Sequence, residues 1–244
     1  MKIRYIQTDI IWADPKANLA ALDRIFETIP EADLYVLPEM FTTGFATCPE
    51  GIAEEDLEGL EWMKATAARR NCAIAGSIST KEDGKFYNRF YFVTPEWERH
   101  YDKHHLFTYS GEHLRYTAGD STLTVDWRGV RFRLIVCYDL RFPAWMRNTA
   151  EDPYDVLLCV ASWPKPRAGA WKTLVRARAV ENQCYVVAVN REGTDPACVY
   201  SGDSAMIDPY GEEVPNGSEL DLDDLRRFRE KFPVLKDADK ISLI

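Results

Sequence analysis

The sequence predicts an α/β protein built around a mixed, buried sheet. Three features point there. Short apolar runs alternate with stretches of helical periodicity, tight-turn signals join some runs as hairpins, and neither a linker nor a fixed-period repeat interrupts the chain. Two packed sheets with helices outside would account for so many strands. Periodicity alone does not separate that arrangement from a single open sheet.

Lys2 to Asp9 alternates as a strand does. Asp14 and Pro15 read as an N-cap and first helical residue, with Leu19, Leu22, Ile25, Phe26 and Ile29 recurring at helical spacing until Pro30. Asp33 to Leu37 is a short buried strand stopped by Pro38, so Glu39 stands just past a strand end. Asp56 to Arg70 is helix-like, and Cys72 to Ile78 is a strand. Phe86 to Val93 follows the Asp83-Gly84 turn signal, while Thr122 to Trp127 and Val130 to Val136 pair across Arg128-Gly129. A short helix follows Pro143. Asp155 to Ala161, Cys184 to Asn190 and Ser204 to Ile207 are strands, and Ala168 to Asn182 is a helix between them. Asp208 to Gly211 is a turn, and Leu222 to Phe232 is a charged amphipathic helix.

Composition narrows the function classes. The 244 residues are 46% hydrophobic, enough for one large core or two modest ones, and carry a formal charge of −9. An acidic surface repels phosphate backbones, which argues against nucleic acid as a partner. No apolar stretch reaches membrane-spanning length, and MKIRYIQTDIIW has no signal-peptide core or cleavage site, so a cytoplasmic location is expected. The six cysteines are scattered without a CxxC pair, as expected of free thiols in a reducing compartment. Cys72, Cys159 and Cys184 lie in apolar runs and read as core residues.

Cys137 differs. In RFRLIVCYDLRFP a buried-strand run ends at a thiol, and Asp139, Arg141 and Pro143 follow. A strand-end cysteine at a helix start suits a nucleophile, because helix-terminal N–H groups favour thiolate. A further core cysteine fits this segment equally well. His100, His104, His105 and His113 all fall near one another, so a Cys–His arrangement stays open, although no zinc-ligand spacing is present. A carboxylate base with a lysine is the other choice. Glu39 in LYVLPEMFTTGF has an apolar setting that would raise its pKa, and Lys103 lies among aromatic and imidazole groups in HYDKHHLF. Alone, each also suits a structural role.

Together, LPEMFTTGF, YDKHHLF and VCYDLRFP place a Glu, a Lys and a Cys in order, and the chain resembles the nitrilase superfamily of carbon–nitrogen hydrolases. The likeness runs from QTDIIWADPKANL through ARAVENQCYVVAVNR to GDSAMIDPYGE, closest to the bacterial omega-amidase branch. It implies one carbon–nitrogen hydrolase domain over residues 1–244, folded as a four-layer αββα sandwich of two mixed sheets with helices outside. It also implies a Glu39–Lys103–Cys137 triad, a supporting Glu112, and a homodimer or larger homo-oligomer. The activity implied is hydrolysis of the terminal amide of small 2-oxo dicarboxylic monoamides.

On this reading Glu39 shuttles protons, and Lys103 with the Tyr138 backbone N–H stabilises the oxyanion. The partner is a small amide, and neither a metal nor an organic cofactor is required. Arg141, about one helical turn past the thiol, is the candidate for a substrate carboxylate, with a salt bridge to Asp139 or another acid as its structural alternative. Phe41, Phe45, Phe107, Tyr109, Trp163 and Trp171 are candidate walls, with Phe41, Phe107 and Trp163 foremost. SWPKPRAGAW lacks the Thr-Gly pattern of eukaryotic omega-amidases, so the carboxylate-binding detail is open. The competing readings are another amidase or an N-carbamoyl amine hydrolase of the superfamily, and a non-catalytic sandwich acting as a binding protein.

Overall fold

The computed structural model describes residues 1–239. Two mixed sheets carry the fold. The first holds β1 (Ile3–Tyr5), β2 (Leu34–Val36), β3 (Ala73–Glu82), β4 (Lys85–Val93) and β5 (Glu98–Asp102) in that spatial order. β1 to β3 run parallel, and β4 and β5 pair antiparallel. The second contains β6 (Leu123–Trp127), β7 (Val130–Val136), β8 (Val156–Ala161), β9 (Tyr185–Asn190), β12 (Ala205–Ile207) and β13 (Glu213–Val214), ordered β13-β12-β9-β8-β7-β6. β10 (Glu192–Thr194) and β11 (Val199–Ser201) form a separate antiparallel hairpin.

Strand alternation explains the layering. Leu34, Val36, Phe90 and Phe92 share one core with β7, β8 and β9, whereas Tyr35, Ile74, Tyr91 and Val93 share another with the buried faces of α1 (Pro15–Thr28) and α2 (Glu58–Arg70). The sheets meet face to face: the Phe92 ring lies 5.3 Å from Phe132 and 6.2 Å from Trp127. β8 and β9 are buried throughout, and α3 (Ala168–Asn182) covers the second sheet with Trp171, Val175 and Ala179. The layers are therefore α, β, β, α, which decides for two packed sheets. Each large side chain buried this way contributes about 1.5–3 kcal/mol.

Local signals behave as their chemistry requires. The Asp14 side chain accepts the Ala17 N–H at 3.0 Å, and Pro15 is the first residue of α1. Asp83-Gly84 and Arg128-Gly129 both take positive φ at two successive residues, the geometry of a two-residue hairpin turn. α2 starts at Glu58, after Leu57 in the left-handed region, rather than at Asp56. β1 ends at Tyr5, and the segment that follows meets Glu192 by a bridge at Asp9. The segments after Val136 and after Pro143 are short 3-10 turns, Cys137–Arg141 and Pro143–Met146, and not α-helices. β5, β10, β11 and β13 are strands without an alternating apolar pattern. Backbone pairing at edges and in the hairpin forms them with at most one buried residue each.

Candidate active site

Three strand exits converge. Glu39 follows β2 through Leu37 and Pro38. Met40 then turns the chain with φ of 46°, its N–H donating to Ser77 Oγ at 2.9 Å. Lys103 follows β5 directly, its N–H donating to the Asn88 carbonyl at 3.0 Å. Cys137 follows β7 in the second sheet. Glu112 opens the 3-10 turn Glu112–Leu114.

Glu39, Lys103 and Glu112 are all fully buried. The Lys103 Nζ donates to Glu39 Oε1 at 3.0 Å and to Glu112 Oε2 at 2.9 Å. Burial alone would lower the lysine's pKa. The Glu112 and Glu39 carboxylates outweigh it and hold the ammonium charged well above the ordinary range. Glu112 moves upward, because burial prevails over the pull of Lys103 and the adjacent Glu39 charge adds to the rise. Further donors satisfy both carboxylates. Asn88 Nδ2 reaches Glu39 Oε1 at 2.7 Å and Glu112 Oε1 at 3.2 Å, Ser162 N–H reaches Glu39 Oε2 at 2.7 Å, and Phe107 N–H donates to Glu112. Asn88 and Ser162 escaped the sequence reading. The one available signal was an asparagine in the middle of the apolar strand KFYNRFYFV.

Cys137 is partly exposed and sits at φ of 46°, a conformation unusual for a residue with a Cβ. The turn that holds it is fixed by Asp139. The buried Asp139 carboxylate accepts the Val136 N–H at 3.0 Å, the His105 N–H at 2.8 Å, His105 Nδ1 at 2.9 Å and the Tyr101 hydroxyl at 2.8 Å. Ser162, whose N–H holds Glu39, lines the same cavity as Cys137. The expectation that helix-terminal N–H groups favour thiolate needs correction. A five-residue 3-10 turn has little dipole. Burial, reinforced by Glu39, pushes the thiol well above its usual pKa despite Lys103, so the resting sulfur keeps its proton. Tyr138 lies in the first turn, where N–H groups have no partner within the helix.

The sulfur opens into a cavity of ≈ 580 Å³ whose lining includes Phe107, Tyr138, Arg141 and Trp163. Phe45 and Tyr109 line it as well, whereas Phe41 and Trp171 do not. Phe41 is buried on the helix-facing side of the first sheet, its ring 6.3 Å from that of Trp62, because the turn at Met40 sends its side chain into that core. Trp171 is buried on the sheet-facing side of α3, its indole N–H donating to the Asp203 carbonyl at 2.7 Å. Arg141 does not bond Asp139, whose oxygens hold the donors named above. Its guanidinium stands 4.8 Å from the Trp163 ring centroid. None of the four histidines lines the cavity. His104 stacks on Trp145 and His105 on Phe142.

The profile of the Carbon-nitrogen hydrolase family matches residues 2–222. The chain belongs to the carbon–nitrogen hydrolase family. This hydrolase is 44% identical to Omega-amidase YafV of Escherichia coli (strain K12), over 100% of this chain and 98% of that one. It is 35% identical to 2-oxoglutaramate amidase of Bacillus subtilis (strain 168), over 98% of this chain and 97% of that one. The crystal structure of XC1258 from Xanthomonas campestris, a CN-hydrolase superfamily protein with an arsenic adduct in its active site, superposes with a TM-score of 0.93. Its identity is 40%, and coverage is 100% of this chain and 99% of that one. The hydrolase thus has its fold and family in common with proteins of known structure, and its cavity, thiol and buried charges lie within the matched residues.

Proposed function

We propose that this carbon–nitrogen hydrolase is an omega-amidase, cleaving the terminal amide of small 2-oxo dicarboxylic monoamides such as 2-oxoglutaramate and 2-oxosuccinamate to the acid and ammonia. The observation that carries the reading is the Cys137 thiol in the cavity lining together with a buried carboxylate–ammonium–carboxylate cluster. The names of the Escherichia coli and Bacillus subtilis relatives support the substrate class.

In this mechanism Glu39 takes the Cys137 proton as the sulfur attacks the amide carbonyl. Charge grows on the carbonyl oxygen, and the Lys103 ammonium and the Tyr138 N–H stabilise it, each donor of this type being worth about 2.7–4 kcal/mol. Glu39 returns the proton to the leaving nitrogen. Ammonia departs and a thioester remains on Cys137. Glu39 then deprotonates a water that attacks the thioester. The acid leaves, and the proton returns to sulfur. Glu112 holds Lys103 in register through its two contacts. Arg141 faces the substrate carboxylate, and Phe107 and Trp163 wall the acyl chain.

A homodimer or larger assembly is part of this proposal, and Val180, Tyr210 and Phe232 are exposed apolar side chains available to it. Among the described residues no helix is long and apolar enough to cross a membrane, and we assign the enzyme to the cytoplasm.

Ammonia release over a panel of 2-oxoglutaramate, succinamate, simple aliphatic amides, ureides and nitriles tests the substrate class. The 2-oxo monoamides should give the highest kcat/KM, and a preference for ureides or nitriles would refute the assignment. Cys137→Ala should keep the circular dichroism of the wild type and lose turnover. Residual amidase activity near the wild-type level would end the thioester mechanism.

A further inference from the structure

The cavity holds a second cation whose position calls for an anion. Arg167 ends the 3-10 turn Lys165–Arg167 ahead of α3, and its side chain is half-buried in the cavity wall. Its guanidinium lies 5.3 Å from the Phe107 ring centroid and 6.0 Å from that of Tyr109. Its backbone is pinned, because the Trp163 indole N–H donates to the Arg167 carbonyl at 2.8 Å. Trp163 therefore links both cations: its ring faces Arg141, and its N–H holds the segment that carries Arg167.

Position sets these two apart: both line the cavity, and among the described residues neither holds a carboxylate, as Arg89, Arg178, Arg191 and Arg229 do. The acid in the cavity lining, Asp195, is committed. It accepts the Ala197 and Cys198 N–H groups and the Tyr200 hydroxyl. A molecule of net charge −9 thus presents two guanidinium groups without carboxylate partners to one apolar cavity. Stacking on aromatic rings holds such groups in place while leaving their N–H edges available to a planar oxyanion.

We propose that Arg167 is a second substrate-binding cation, which shares the carboxylate end of the amide substrate with Arg141. The proposal rests on the reading that the substrate is an amide bearing a carboxylate. It adds that one cation is not enough to set that preference. It also locates a specificity-determining residue in SWPKPRAGAW, the loop whose carboxylate chemistry the sequence left open.

The test compares kcat/KM for glutaramate with that for valeramide, its neutral counterpart, in wild type, Arg167→Met, Arg167→Lys and Arg141→Met. Wild type should favour glutaramate. Arg167→Met should reduce that ratio by about tenfold or more through KM, as loss of a charge-assisted contact does, and Arg167→Lys should restore part of it. The Arg141→Met/Arg167→Met variant should lose less than the product of the two single effects, because both cations act on one carboxylate. A ratio within threefold of wild type in Arg167→Met, with a collapsed ratio in Arg141→Met, overturns the proposal and leaves the substrate class standing. No preference for glutaramate in wild type instead refutes the substrate class, and this proposal with it. Calorimetric titration of glutarate into Cys137→Ala and into Cys137→Ala/Arg167→Met reads the same contact without turnover. A tenfold weaker Kd is expected in the double variant, and equal Kd values refute the contact.

Discussion

At the residue scale, the site depends on one buried ammonium between two buried carboxylates. Lys103 contacts Glu39 at 3.0 Å and Glu112 at 2.9 Å, with every partner fully buried. Replacing Lys103 by Met removes the only cation among these three groups and leaves their mutual repulsion. The expected cost is about 3–5 kcal/mol of stability, read by urea unfolding, together with loss of turnover. A variant as stable as wild type would mean that the carboxylates are not ionised together. The three residue types were legible because each stood in its own motif. Asn88 and Ser162 were not. One is a polar residue within a strand, the other offers a backbone N–H, and neither role has a side-chain signature before the strands pair.

At the element scale, the decisive piece is the turn between β7 and the segment that follows. A strand that runs apolar to Val136 delivers Cys137 at φ of 46°, and Asp139 closes the turn by accepting the Val136 N–H while tying it to Tyr101 and His105. Asp139→Ala would leave several buried donors unpaired, at about 1–3 kcal/mol each. The variant should melt at lower temperature and lose kcat far more than it raises KM, because the thiol loses its fixed position. Unchanged kcat would show that the nucleophile turn stands without Asp139. The sequence located this turn but expected an α-helix there. The 3-10 form is imposed by Asp139 bonding back across the turn and by Pro143 just beyond it. Phe41 failed as a cavity wall for a similar reason. One left-handed residue, Met40, decides which face of the first sheet the following side chain meets.

At the scale of the whole molecule, burial of thiols predicts a loss of stability in alkali. Burial raises Cys72 to about 11 and Cys184 to about 12, and moves Cys137 upward as well, against an ordinary value near 9.0. The native state therefore keeps protons that the unfolded chain releases, and stability falls as pH rises through ~9. Lys103, raised in the same direction, adds to the loss above its ordinary value of 10.5. Thermal melts between pH 7.5 and 10.5 should show Tm falling continuously, by roughly 2–4 °C for each 1 kcal/mol lost in a chain of this size. A Tm that stays level across that range would show that the thiols ionise freely inside the fold.

The sequence alone determined the α/β class, the hairpin turns at Asp83-Gly84 and Arg128-Gly129, the cap of α1, and a Glu and a Cys each just beyond a strand. All of these follow from interactions between neighbours in the chain: turn geometry, capping, and apolar periodicity. Only the tertiary structure decided that two sheets pack face to face, that the Ser162 N–H holds Glu39, and that Arg141 and Arg167 line one cavity, each tied to Trp163. Those contacts join residues far apart in sequence. Their energies come from burial and charge in a shared interior, which exists only once the layers have closed.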